Sequence, residues 1–256
     1  GAMEGLQLFA QQQVFLFMLV FARTGTAVLL MPGFGERIIP PQIRLVLALA
    51  ISFVVLPLAP VTHLALPANL GLLFSAIGGE FLIGAFIGAA TRVIFSALHM
   101  GGQLIGQSMG LSALVPEAAA GFGGSTATTN LLVMCGMTMI FVADLHILMI
   151  EAMVSSYRLF RPAEIPDMAG LSEDFIHVMS RAFLLAVKFA SPFLIVAFLF
   201  NLGLGLTNRL MQSLPVFFVG MPFLLATGFL VLFATTAAIM LSFADSMSAW
   251  LNSFAT

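Results

Sequence analysis

Six apolar runs, at residues 8–31, 44–58, 70–98, 131–155, 175–206 and 215–243, constrain this chain more than any other feature of its sequence. In an apolar solvent such runs default to α-helix, because a helix satisfies every backbone N–H and C=O within its own segment. The stretches between them carry helix-stopping chemistry: Pro32-Gly33 with Pro40-Pro41, then Pro57, Pro60 and Pro67, and later the region from Pro162 to Gly170. A crossing of about 30 Å of hydrocarbon needs about 20 apolar residues, so the second run is short for one. The fold class expected is an all-α membrane protein of about six apolar helices.

Water cannot be the only solvent. Hydrophobic residues make up 61% of the chain and charged residues 8%, where a soluble domain carries about a quarter charged. Nine Lys/Arg and eleven Asp/Glu cannot coat a globule of 256 residues, so lipid or other apolar protein must take that place. A net charge of −2 with no basic cluster excludes a nucleic-acid surface. The lone Cys135 excludes an intramolecular disulfide framework and a cysteine zinc site. Gly1-Ala2 ahead of Met3 reads as a cleavage scar, and the residues after it lack the basic start of a signal peptide, so the first apolar run is expected to be retained.

Three runs carry charge well inside: Arg23, then Glu80 with Arg92, then Asp144 with Glu151. One central charge costs about 2.5–3.5 kcal/mol on an insertion scale and each large apolar residue returns about 0.3–0.6. Insertion is therefore feasible, but these side chains should face protein, and Arg23, Glu80 and Asp144 are the expected buried charges. The rule that basic loops stay inside gives a tie: Arg37, Arg44, Arg92 and Arg209 fall on one side of a six-span threading, Arg158, Arg161, Arg181 and Lys188 on the other. Simple threading is thus in doubt. Residues 171–192 read as an amphipathic helix with Ser172 as N-cap and Glu173 and Asp174 in its first turn. Asp174, His177, Arg181 and Lys188 share one face of it, which reads first as an aqueous face.

Gly84 and Gly88, and Gly102, Gly106 and Gly110, recur at four-residue intervals and strip side chains from a helix face, so another backbone can approach. Whether that backbone belongs to this chain or to a partner the sequence leaves open. Residues 110–130 form a long loop of small residues, equally consistent with a movable plug and with a linker.

Chemical motifs are weak. Gly106-Gln-Ser-Met-Gly110 matches the nucleophile-elbow pattern, but its flanks read as helix, without the strand-turn-helix context that the chemistry requires. His99, His146 and His177 have no positional claim as its base. No histidine pair has zincin spacing, and Asp144 and His146 point about 200° apart on a helix, so no catalytic, cofactor or metal site is expected. Glu80 and Asp144 suit either a proton relay or, more simply, pairing with Arg23, Arg92 or a partner. The sixteen methionines are adaptable packing residues. A secondary transporter would show two related halves with midplane binding groups, and no internal repeat is visible.

The most specific stretch is Asn208-Arg-Leu-Met-Gln-Ser-Leu-Pro-Val-Phe-Phe-Val-Gly-Met-Pro222, after the run 198–206. Earlier stretches agree in order: Phe21-Ala-Arg23, Pro32-Gly-Phe-Gly35, Pro41-Gln-Ile-Arg44, Gly79-Glu-Phe-Leu-Ile-Gly84 with Gly88, and Gly102-Gln-Leu-Ile-Gly106. Together they resemble the FliR family of bacterial flagellar export-gate proteins, over essentially residues 3–256, which then read as a single export-gate domain. The chain departs from the family at Gln212, where proline is common, and at Val115, where an aspartate often precedes the loop proline.

The resemblance implies a non-enzymatic subunit of flagellar type III secretion in the bacterial inner membrane, at the flagellar basal body. Its implied partners are FliP and FliQ in the gate complex, FlhB, unfolded flagellar export substrates and membrane lipid. It implies a FliP-like N-terminal part followed by a FliQ-like helical hairpin, partly raised out of the membrane plane. It further implies a pore plug in the loop after Gly110, carried by Leu111, Ser112, Ala113, Leu114, Val115 and Phe122. Asn208, Arg209, Gly220 and Pro222 mark the hairpin turn, where Arg209 is expected to meet a partner's carboxylate or carbonyl. The homologous subunit of a virulence injectisome is the nearest alternative.

Overall fold

A computed structural model describes residues 2–36, 38–61, 64–110, 127–210 and 216–255, and these are helical with no strand among them. The first run is α1 (Ala2–Val20), a π-helical turn (Phe21–Gly25) and α2 (Thr26–Leu30) in unbroken succession. It ends where Met31 turns extended ahead of Pro32 and Gly33, the latter at φ 89°. α3 (Pro41–Val55) opens on proline at its first turn, where the missing N–H costs nothing. α4 (Leu70–Ser108) starts under Asn69, whose Oδ1 accepts the Leu72 N–H at 2.9 Å. It runs ten residues past the expected end and stops at Gly110, whose φ of 70° is left-handed.

The fourth expected run is two helices, α5 (Ala127–Val142) and α6 (Leu145–Leu159), with a bend between them. The bend centres on Asp144 at φ 55°, a conformation that aspartate tolerates better than most residues. α7 (Met168–Leu210) begins earlier than expected. Asp167, not Ser172, caps it, accepting the Ala169 N–H at 3.1 Å, while Ser172 back-bonds to the Met168 carbonyl. Pro166 fixes the entering chain and Asp167 supplies a carboxylate for the helix dipole, so Ser172 is already inside. α8 (Val216–Asn252) completes the set.

Among the described residues, four helical stretches are long and apolar enough to cross a membrane, or up to five if the α5–α6 pair is one span. α3 falls short, as its length suggested.

The contacts divide the chain into two compact units. The first comprises residues 1–93, 144–179 and 247–256, the second residues 94–143 and 180–246. In the first, Phe15, Leu16, Leu19 and Val20 of α1 pack with Val55, Ala59, Val61, Ala76 and Tyr157. Phe86 meets the rings of Phe160, Phe175 and Trp250 at centroid distances of 6.1–6.5 Å. In the second, Phe95 packs edge-on against Phe243, and Gly136 admits Leu98.

Candidate functional site: a buried ion-pair clasp

Arg23 lies in the π-helical turn and Glu80 on α4, and both are fully buried. A π turn widens the helix by one residue and is a frequent way to re-aim a side chain. Gly84, one turn beyond Glu80, makes the approach possible: a Cβ there would collide with the Arg23 carbonyl oxygen. Gly88 repeats the arrangement a turn later, where a Cβ would sit 2.7 Å from Leu30 Cβ and 2.8 Å from the Ala27 carbonyl. The glycine face of α4 is thus occupied by this chain's own first helical run.

The guanidinium is satisfied throughout. Nε donates to Glu80 Oε2 at 2.6 Å, and Nη2 donates to Glu80 Oε1 at 3.1 Å and to the Phe160 carbonyl at 3.2 Å. Nη1 donates to Ser156 Oγ and to the Phe160 carbonyl, both at 3.3 Å. Five bonds match the five N–H donors of arginine. The Tyr157 ring lies 3.9 Å from the guanidinium carbon, a cation–π contact strengthened by burial. Glu80 Oε1 also accepts the Ala163 N–H at 2.9 Å, which holds Ala163 at φ 64° in the turn after α6. Gly79 clears the way for that turn, since a Cβ there would lie 2.5 Å from the Glu164 carbonyl. One ion pair therefore ties the first helical run, α4 and the segment joining α6 to α7.

A second polar contact lies beside it. Thr24 and Ser52 are buried with their hydroxyl oxygens 2.7 Å apart, and each also reaches its own i−4 carbonyl. Two hydroxyl protons serve three contacts, so a hydroxyl that donates across to the other gives up its own carbonyl. Arg92, further along α4, donates to the Leu30 carbonyl at 3.0 Å and pairs with Glu36 at 3.1 Å, closing the end of α2.

Other expected residues fall elsewhere. Asp144 is exposed at the α5–α6 bend and is not a buried charge, because the left-handed turn carries its side chain outward. Gly102 packs on Thr129 within the second unit, where an added Cβ would lie 2.5 Å from the Thr129 Cα, and Gly106 is buried. Among the described residues nothing lies within 4 Å of a Cβ built on Gly110, whose left-handed φ makes it a helix terminator. Asn208 and Arg209 are exposed in the last turn of α7, Gly220 lies against Leu204, and Pro222 sits exposed within α8. Leu111, Ser112, Ala113, Leu114, Val115 and Phe122, and the turn joining α7 to α8, lie outside the described residues. Ser108 of the false nucleophile elbow is helical and donates to the Ile105 carbonyl.

Sequence reasoning missed Ser156, Tyr157, Gly79 and Glu36. Phe160 and Ala163 contribute backbone groups, which no residue type announces.

These features define an all-α membrane protein whose buried charges are neutralised internally and serve to clasp helices together. The chain belongs to the bacterial export proteins, family 1, whose family model matches residues 14–250. It is 34% identical to the flagellar biosynthetic protein FliR of Caulobacter vibrioides over 245 residues, covering 94% of this chain and 96% of that protein. With FliR of Escherichia coli K12 it shares 26% over 202 residues, 77% of this chain and 75% of the relative. With the Yop proteins translocation protein T of Yersinia pestis it shares 30% over 149 residues, 57% of each chain. The chain is thus a membrane-embedded component of type III export machinery.

Proposed function

We propose that this chain assembles with FliP and FliQ, with FlhB alongside, into the flagellar export gate of the inner membrane, through which unfolded flagellar proteins pass. The observation that carries this reading is apolar helix in excess of what one bilayer can cover. α4, α7 and α8 contain 39, 43 and 37 residues, which is about 58, 65 and 55 Å of helix against about 30 Å of hydrocarbon. Fitting α4 inside would need a tilt of roughly 60°, beyond the usual range of 0–40°. In all four span-length stretches half or less of the most apolar window is buried by the chain itself. Apolar surface that neither lipid nor this chain covers calls for neighbouring subunits.

In this assembly the loop after Gly110 is the pore plug. Small apolar side chains can shut a channel to water and ions by dewetting and still part for an unfolded substrate. Gly110 ends α4 at the start of that loop. Asn208 and Arg209 turn the terminal hairpin, with Arg209 reaching a partner's carboxylate or carbonyl. The flagellar system is favoured over the injectisome because the FliR relative from Caulobacter covers nearly the whole chain, and the Yersinia protein little over half.

Co-expression with FliP and FliQ, purification through a tag on this chain and imaging of the product tests the reading. A stable ternary complex is expected; recovery of this chain alone would overturn it. Deleting residues 110–121 should leave the complex intact while raising ion leak across the membrane, and an unchanged leak with normal assembly would defeat the plug role. Arg209→Ala should lower recovery of the complex.

A further inference from the structure

Within the second unit, α7 and α8 pair antiparallel: Gly220 lies against Leu204, and Lys188 Nζ donates to Ser242 Oγ at 3.4 Å. The charged side chains of this unit among the described residues are Arg181, Lys188, Arg209 and Asp245. Their placement is not scattered. Lys188 and Arg209 bound an uncharged stretch, residues 189–208, which is about 30 Å of helix and therefore equals the thickness of bilayer hydrocarbon. On α8, Asp245 lies one turn beyond Ser242 and so at the level of Arg181 and Lys188, and no charge interrupts α8 before it.

Between the two charged levels the pair is chemically prepared for lipid. Ile195, Phe198, Leu199, Leu202 and Leu206 of α7 and Phe233 of α8 are exposed. Thr207, Thr227, Thr235 and Thr236 each turn their hydroxyl onto the carbonyl four residues back, at 2.6–2.9 Å, which hides the donor where no water can take it. Asn201 is the exception, an exposed amide that such helices tolerate by bonding across to a neighbour.

We infer that Arg181 and Lys188, exposed two turns apart on one face of α7, bind the phosphate groups of anionic phospholipid at the boundary of the hydrocarbon spanned by residues 189–208. Their long stems lie along apolar surface while their charged ends reach the headgroups, as cations near the ends of membrane helices do. Asp245 at the same level, or a neighbouring subunit's carboxylates, would also neutralise them, but neither gives a reason for Lys188 and Arg209 to stand one hydrocarbon thickness apart. Lipid does. Such binding requires only that the chain is membrane-embedded; failure to bind FliP and FliQ would leave it untouched.

Native mass spectrometry of the full chain, with equal phosphatidylglycerol and phosphatidylcholine added, tests it. The parent should retain phosphatidylglycerol preferentially. R181Q/K188Q should lower that preference roughly 30-fold, at about fivefold per cation near an anionic surface, while R158Q/R161Q, which removes exposed cations of the first unit, should change it less than twofold. No preference in the parent, equal loss in both variants, displacement of lipid by inorganic phosphate, or carbodiimide cross-linking of Lys188 to a neighbouring subunit would each overturn it. Should R181Q/K188Q misfold, depth decides the matter. With Cys135 replaced by serine, a fluorophore at Leu199→Cys should be quenched by lipids labelled near the bilayer centre, and one at Ser180→Cys by headgroup-labelled lipids. Quenching of both by an aqueous agent would overturn the placement.

Discussion

At the scale of single residues, the clasp is a neutral pair with every donor used, and its contribution shows when half of it is lost. Removing one partner of a buried pair leaves an uncompensated charge and typically costs about 3–5 kcal/mol, whereas replacing both by apolar residues is often neutral. Glu80→Ala should therefore destabilise the chain by about that much, since Arg23 would face only Ser156, Phe160 and an aromatic ring. Arg23→Met/Glu80→Leu should recover most of the loss. Tyr157→Phe should be neutral or slightly stabilising, because the Tyr157 hydroxyl is buried with no hydrogen-bond partner among the described residues and its ring contact survives. Denaturation midpoints of the purified variants in one detergent check all three, and a single mutant no worse than the double would refute the clasp. Arg23 and Glu80 were legible in the sequence because a charge inside an apolar run must be buried against something. Ser156 and the Phe160 carbonyl were not, since a lone serine and a backbone oxygen look alike everywhere. Asp144 misled because neither glycine nor proline marks its bend, and only the tolerance of aspartate for positive φ hints at it.

At the scale of elements, α4 carries its own control. Gly78, Gly84 and Gly88 lie on one helix with different surroundings: a Cβ at Gly78 meets nothing within 4 Å, and one at Gly88 comes within 2.7 Å of Leu30. At Gly84 the added methyl would land on the Arg23 carbonyl and push the π turn away from Glu80. Gly78→Ala should raise stability by up to about 1 kcal/mol through helix propensity, while Gly84→Ala should lower it and weaken the clasp. Equal effects at the two positions, measured as steady-state membrane levels and denaturation midpoints, would mean that backbone approach is unimportant there. The four-residue spacing disclosed Gly84 and Gly88 as a packing face. Gly79 and Gly136 belong to no such pair and were silent, although each admits a neighbour's atoms. Gly110 kept the spacing but ends the helix, because periodicity cannot distinguish the last packing glycine from a terminator.

For the whole molecule, hydrophobicity reports two different neighbours, and α3 separates them. At 15 residues, or about 22 Å, it is too short to cross hydrocarbon, yet Ile43, Val46, Leu49, Phe53 and Val54 are exposed along it. An apolar face on a helix that cannot span is either laid on the bilayer surface or covered by another subunit, and the two covers respond differently to assembly. Lipid is present whether or not FliP and FliQ are; a subunit is not. With Cys135 replaced by serine, Phe53→Cys in membranes containing this chain alone should react with a membrane-impermeant maleimide. Co-expression of FliP and FliQ should suppress that reaction several-fold, while a cysteine at Leu199, between the two charged levels of the α7–α8 pair, should resist labelling in both preparations. Protection of Phe53→Cys without the partners would assign α3 to lipid, and the surplus of apolar helix would then have to be explained by the membrane alone.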